Sequence, residues 1–394
     1  MIIISSRCRI SSKRSISHPD RGNRISEKVF QERNNGKNGI EKKRDIKRER
    51  KYSKGNIRKE MDTMDNHAAL TQEEFEFAQN VIKKLSDYFS EQVVGQEGLK
   101  KSLITAIIAD GHILLESVPG LAKTTAAKAI SDAVSGTFSR IQCTPDLLPS
   151  DIIGTQIYHQ HSGQFETVFG PVFANFVLLD EVNRSSAKTQ SAMLEAMQER
   201  QVTIGGKTYR MPQDIFIVIA TQNPIEQEGT YPLSEAQTDR FMIKEKITFP
   251  SVKEEIAIMN GIESGRIGTK KGAVLSIEDL DRVQDIAEKV YIDPAIKEYI
   301  ANIVNMTRHP ELISNGRLAN YIRTGASPRA SINFLRIAKA TALISGRTYV
   351  VPDDVKNMRH QVLRHRIGLN YAAVVDNISA EEIIDMLVNA VPTP

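Results

Sequence analysis

Hydrophobic positions along this chain change their period several times, and each change marks an element. From Thr71 the residues Phe75, Phe77, Val81, Ile82 and Leu85 fall near one face of a 3.6-residue repeat, which predicts an amphipathic helix; a second helix is expected over 97–109. The apolar run Ile113-Leu-Leu-Glu116, a Pro-Gly turn and an alanine-rich stretch at helical spacing read as strand, loop and helix. The stretch 137–143 reads as a short strand, 145–151 as a turn opening a helix, and 157–168 alternates around Ser162-Gly163 as a hairpin does. Two continuous apolar runs, 176–179 and 215–220, have the pattern of strands buried on both faces of a parallel sheet. Between them lie a helix over 186–198, with Ala187, Met193, Leu194 and Met197 on one side as core, and a hairpin over 201–209 turning at Gly205-Gly206. Beyond Pro250 the pattern is helical, with helices expected over 278–290, 295–307, 329–343, 353–363 and 380–391. Pro294, Pro328 and Pro352 stand at or just before helix starts, where proline is tolerated. The whole is an α/β region with a parallel sheet, followed by an all-helical domain.

Charge divides the chain differently from hydrophobicity. The formal net charge is +4, yet residues 1–60 hold 19 Lys and Arg against 7 Asp and Glu, leaving 33 basic and 41 acidic residues from 61 onward. The basic pI therefore belongs to the first 60 residues, and the rest is acidic. That first segment carries few large apolar side chains and is expected to be a disordered tail. It could touch nucleic acid or anionic lipid, could be a targeting peptide, or could lie upstream of a true start at Met61 or Met64. Only Cys8 and Cys143 are present, which excludes a disulfide framework and a four-cysteine zinc site and fits a reducing, cytoplasmic setting. His159-Gln-His161 has no cluster of acidic or cysteine ligands near it and reads as a solvated hairpin. No run approaches the roughly 18 apolar residues of a membrane span.

The candidate chemistry starts at the strand, loop and helix of 113–130, the context that a phosphate-binding loop requires. The pattern G-x-x-x-x-G-K-[ST] reads here as Ser117-Val-Pro-Gly-Leu-Ala-Lys-Thr124, so Gly120 is left to supply a positive φ or a close backbone approach. The segment Ser117, Val118, Pro119, Gly120, Leu121, Ala122, Lys123, Thr124 and Thr125 would wrap phosphate, mostly through main-chain N–H groups and the positive end of the following helix. Lys123 would reach the β- and γ-phosphates and the Thr124 hydroxyl would ligate Mg²⁺. The alternative is a buried strand, a turn and an amphipathic helix.

Partners for such a loop follow in order. Asp180 and Glu181 end an apolar strand, where ligands bind in open α/β sheets; Asp180 would hold Mg²⁺ through water and Glu181 would activate the attacking water. An acidic turn is the other reading. Asn223 ends the next strand and is a second hydrogen-bonding group for that water or the γ-phosphate, or else a turn residue before Pro224. Arg240, on or just beyond a short helix, could enter a neighbour's site in a ring, or form a surface ion pair. Arg329 lies in the first turn of a helix, where a cation is unfavourable to the dipole, which points to a bound anion or a carboxylate partner.

This series resembles the AAA+ ATPases, and within them the MoxR family. The family-like segments include Val118-Pro-Gly-Leu-Ala-Lys-Thr124, Pro145-Asp-Leu-Leu-Pro-Ser-Asp151, Leu179-Asp-Glu-Val-Asn-Arg184 and Gly325-Ala-Ser-Pro-Arg329, with others at 169–173, 220–224 and 228–232. They span about 71 to 394. The resemblance implies an AAA+ αβα core with a five-stranded parallel sheet over 61–250, and a helical lid domain over 251–394. It implies ATP and Mg²⁺ as ligands, Lys123 and Thr124 as Walker A, Asp180 and Glu181 as Walker B, Asn223 as sensor 1, Arg240 as the arginine finger and Arg329 as sensor 2. It also implies a homo-oligomeric ring, usually a hexamer, that acts as a chaperone on partners with von Willebrand factor A domains, in maturation or metal insertion. Ser117, Ser234 and Thr238 replace a more usual glycine, proline and leucine. Two other readings are a nucleotide-gated scaffold and a nucleic-acid motor. The acidic part lacks the basic stripe that nucleic acid needs, so such binding is expected only through the tail.

Overall fold

A computed structural model of the protein describes residues 70–394 apart from Pro119, Ala122, Ser162, 212–214, 225–229, Arg266 and 268–271. The basic segment 1–60 and both candidate starts, Met61 and Met64, lie outside the described residues, as does part of the 228–232 segment. Helix α1 (Gln72–Gln92) starts after Thr71 because Thr71 and Glu74 exchange side-chain to backbone bonds, a capping box. It is followed by α2 (Glu97–Ile108), β1 (Ile113–Glu116), α3 (Lys123–Ala133), β2 (Phe138–Gln142) and α4 (Pro149–Ile153). Next come an antiparallel hairpin of β3 (Gly154–His159) and β4 (Gln164–Phe169), then β5 (Phe176–Asp180) and α5 (Ala187–Glu199). The second hairpin, β6 (Gln201–Ile204) and β7 (Lys207–Arg210), turns at Gly205 and Gly206, both at positive φ as a tight two-residue turn requires. Strand β8 (Ile217–Gln222), α6 (Glu235–Thr238) and β9 (Ile243–Lys246) complete the α/β region.

Five strands form one parallel sheet in the order β2-β5-β8-β1-β9. Alternate residues of each strand enter different cores. Ile113, Leu115, Phe176, Leu178, Ile217 and Ile219 join a cluster shared with α1, α2, α3 and the later helices. Leu114, Val177, Leu179, Val218 and Ala220 join one with Met193, Leu194 and Met197 of α5. A period of two with both faces buried is why these strands read as unbroken apolar runs. Ala187 is exposed, so the buried face of α5 starts at Thr189 and Gln190 and continues through Met193, Leu194 and Met197.

One buried polar group stitches these layers. Val218 donates its N–H to Nδ1 of His112 at 3.1 Å, so the other ring nitrogen, 3.1 Å from the Met197 carbonyl, carries the hydrogen. Burial pushes the His112 pKa down to about 4, and the ring is neutral.

The later half is helical, as expected: α7 (Val252–Glu263), α8 (Ile277–Glu288), α9 (Pro294–Arg308), α10 (Pro328–Ile344), α11 (Pro352–Lys356), α12 (Arg359–Leu363), α13 (Tyr371–Val375) and α14 (Ala380–Ala390). Pro294, Pro328 and Pro352 are first residues of their helices. A short ladder of β10 (Ile322–Thr324) and β11 (Gly368–Leu369) adds to them. Neither α13 nor the β10–β11 ladder was expected, and two further details differ from the sequence reading. The stretch 353–363 is two helices, because Met358 leaves helical backbone to be fully buried and Arg359 turns back to cap the Lys356 carbonyl at 2.7 Å. Helix α7 lies where none was expected; it buries only Gly261 and leaves Val252, Ile256 and Met259 exposed.

Candidate active site

Parallel register brings the carboxyl ends of four strands level. Gln142 stands opposite Asp180, and Glu116 opposite Gln222. The Ser117 N–H extends the ladder by one bond to the Gln222 carbonyl at 3.1 Å. The chain then leaves the sheet through Gly120, whose φ of 85° is the left-handed conformation that the sequence reading asked of it. Helix α3 begins at Lys123, which is buried, with Nζ 3.5 Å from the Ser117 carbonyl. The Ser117 hydroxyl is turned to the Val118 carbonyl at 3.0 Å. Pro119 and Ala122, two of the expected phosphate contacts, lie outside the described residues.

Asp180 is the last residue of a strand buried throughout. Burying a carboxylate is costly unless it is hydrogen-bonded or paired. Both conditions are met, because Thr221 donates to Oδ1 at 2.8 Å and Arg140 to Oδ2 at 2.6 Å. Glu181 follows in left-handed backbone at φ 57°, a strained conformation for a residue with a Cβ and one that clusters at functional sites. The Thr221 hydroxyl also accepts the Glu181 N–H at 2.9 Å, so one side chain fixes both carboxylate residues. The Glu181 carboxylate meets Gln142 at 3.0 Å and Arg184 at 3.4 Å.

Gly120, Leu121, Lys123, Thr124, Thr125, Asp180 and Glu181 line one cleft of about 450 Å³. An ammonium, a hydroxyl and two carboxylates thus face a common space beside a helix N-terminus, a donor set suited to phosphate and to a hard, oxygen-seeking divalent cation. Asn223 is buried next door, in a depression of about 410 Å³ that it shares with Asn183, Thr238 and Lys244, and its carbonyl lies 3.5 Å from the Asn183 amide nitrogen.

Two arginines stand apart from this cleft. Arg240, two residues beyond α6, lines a different depression of about 490 Å³ with Glu195, Gln198 and Glu199. Arg329 donates to Gln198 at 3.0 Å and to Asp239 at 3.4 Å. The carboxylate partner allowed for in its helix-dipole mismatch is therefore Asp239, and Arg240 and Arg329 share the neighbourhood of Gln198. Sequence reasoning passed over Arg140, Gln142 and Thr221. Thr221 directly follows the apolar run 215–220 and could have been found as a hydroxyl at a strand end; Arg140 and Gln142 become visible only once β2 is known to pair with β5.

Two family profiles match the chain: the one described as "ATPase family associated with various cellular activities (AAA)" over residues 112–243, and "AAA lid domain" over 315–387. Chaperone MoxR1 of Mycobacterium tuberculosis is 47% identical over 302 residues, covering 77% of this chain and 79% of the relative. Protein MoxR of Methylorubrum extorquens is 27% identical over 319 residues, covering 76% and 90%. A crystal structure of an inferred ATPase from Cytophaga hutchinsonii superposes with a TM-score of 0.77 at 46% identity, covering 82% of this chain and 98% of that one. With this fold, this cleft and these relatives, the chain belongs to the MoxR family of AAA+ ATPases.

Proposed function

We propose that the protein hydrolyses ATP in the cleft between the phosphate loop and the end of β5, and uses the cycle to remodel partner proteins. The observation that carries this is the meeting of Lys123, Thr124, Asp180 and Glu181 in one space at the carboxyl edge of the sheet. The loop from Ser117 to Thr125 binds the phosphates, with Lys123 neutralising the β- and γ-groups. Thr124 and Asp180 hold Mg²⁺, which when bound supplies charge neutralisation on the phosphate oxygens. Glu181 orients a water and takes its proton, and Asn223 offers that water or the γ-phosphate a second hydrogen bond. Arg240 completes a neighbouring copy's site in a homo-oligomeric ring, a hexamer by family resemblance, since it lies outside its own copy's cleft. In this scheme Arg329 serves beside it on the same face. Residues 61–250 act as the nucleotide core and 251–394 as the lid. The working place is the cytoplasm, and the chaperone reading rests on the relative bearing that name. The partners, again by family resemblance, carry von Willebrand factor A domains and are matured or loaded with metal.

Phosphate release from Mg-ATP by the purified protein tests this. Turnover is expected, with loss on chelating Mg²⁺ and on Lys123→Ala, which should also weaken ATP binding at least ~10-fold by removing a charge-assisted contact. ATP binding without turnover would support the nucleotide-gated scaffold instead.

A further inference from the structure

Arg240 follows a helix of only four residues, and its Nε finds no partner among the described residues. The backbone that carries it is nevertheless held firmly, and from the lid. The Arg366 side chain is fully buried. Its guanidinium donates to the Asp239 carboxylate at 2.9 Å, to the Asp239 carbonyl at 3.1 Å, to the Phe241 carbonyl at 2.5 Å and to the Met242 carbonyl at 3.3 Å. His365 reaches the same Phe241 carbonyl at 3.0 Å. On the far side of Asp239, Ser327 donates to the carboxylate at 2.8 Å, beside Arg329. Two lid segments distant in sequence therefore close on the residue immediately before Arg240.

The other end of this span is fixed to the sheet, where Met242 donates its N–H to the His112 carbonyl at 2.8 Å. Arg240 sits between a sheet anchor and a lid anchor. A planar fork that serves a carboxylate and several carbonyls at once is a task for arginine, and a displaced lid would leave those carbonyls and the guanidinium unpaired. A lid shift that does not carry residues 239–241 along would break these bonds.

We propose that Arg366 is a positioning residue for Arg240: through Asp239 and the adjacent carbonyls it ties that arginine to the lid of its own copy, so that lid position sets how the arginine is presented to the neighbouring copy. This rests on the reading of Arg240 as a group that enters a neighbour's cleft.

The test is complementation in mixed assemblies of the full chain. Arg366→Lys keeps the charge and loses the fork. Asp239→Asn keeps the shape and removes the charge the fork is aimed at, and it serves if the first variant does not fold. Each is expected to lower kcat at least ~10-fold while the Kd for ATP stays within about twofold of wild type. Mixed one to one with Glu181→Gln subunits, whose cleft is inactive and whose Arg240 is intact, either variant should recover about a quarter of wild-type turnover, the share of random neighbours in which an intact cleft meets an intact arginine. Arg240→Ala mixed in the same way is the control. Recovery by Arg240→Ala with none by the lid-side variants overturns the proposal, as does a wild-type kcat in both of them. No recovery even by Arg240→Ala overturns the reading beneath the proposal and the proposal with it.

Discussion

Glu181→Gln should stop steady-state phosphate release while ATP still binds within a few-fold of the wild-type Kd. The residue adopts left-handed backbone at the end of β5, a conformation that a side chain with a Cβ adopts at a cost, and its N–H is pinned by Thr221. That backbone puts the carboxylate in the cleft with Lys123 and Thr124. Glutamine keeps the volume and can still meet the Gln142 amide through its own carbonyl oxygen, so the fold is expected to be undisturbed. What it removes is the proposed proton acceptor, and positioned general bases contribute about 10²–10⁴-fold in rate. A loss of that size in kcat, read by phosphate release beside equilibrium ATP binding, is the expected outcome. Full turnover in the variant would remove Glu181 from the mechanism.

Arg240→Ala should have a comparable effect on kcat and almost none on ATP binding by the same chain. The arginine lines a depression with Glu195, Gln198 and Glu199, and the phosphate-loop residues line another. It therefore lies outside the cleft of its own copy, as the proposed role in a second copy requires. Arginines inserted from outside into GTPase sites are worth about 10³–10⁵ in rate, and a fall of at least ~10²-fold is expected here. Measured together, kcat and the ATP Kd separate this from a folding defect, which would move both. A fall in ATP affinity with an unchanged kcat would contradict the assignment.

Much of this fold could be read from the chain, and so could the meeting of Lys123, Thr124, Asp180 and Glu181 in one cleft. The unbroken apolar runs before Asp180 and Thr221 announced strands buried on both faces, and the alternation of Phe176, Val177, Leu178 and Leu179 between two cores is the reason. Gly120 has the positive φ that the reading of this loop asked of it. Helix α7 has a capping box in Ser251-Val-Lys-Glu254 but no buried apolar face, because it presents Val252, Ile256 and Met259 to solvent. The contacts of Asp180 with Arg140 and of Glu181 with Gln142 were not legible. Arg140 and Gln142 reach the two carboxylates across the β2–β5 pairing, and strand order is a property of tertiary packing. For the same reason nothing local marked Arg366 as a partner of Asp239, Phe241 and Met242, which lie more than a hundred residues earlier.

In the proposed ring one copy supplies the cleft and its neighbour the arginine. Turnover per chain, measured across a dilution series in parallel with sedimentation of the same samples, tests this most directly. Turnover per chain is expected to rise steeply as assemblies form and to be near zero where the chain is monomeric; equal turnover per chain in monomer and assembly would contradict the shared site.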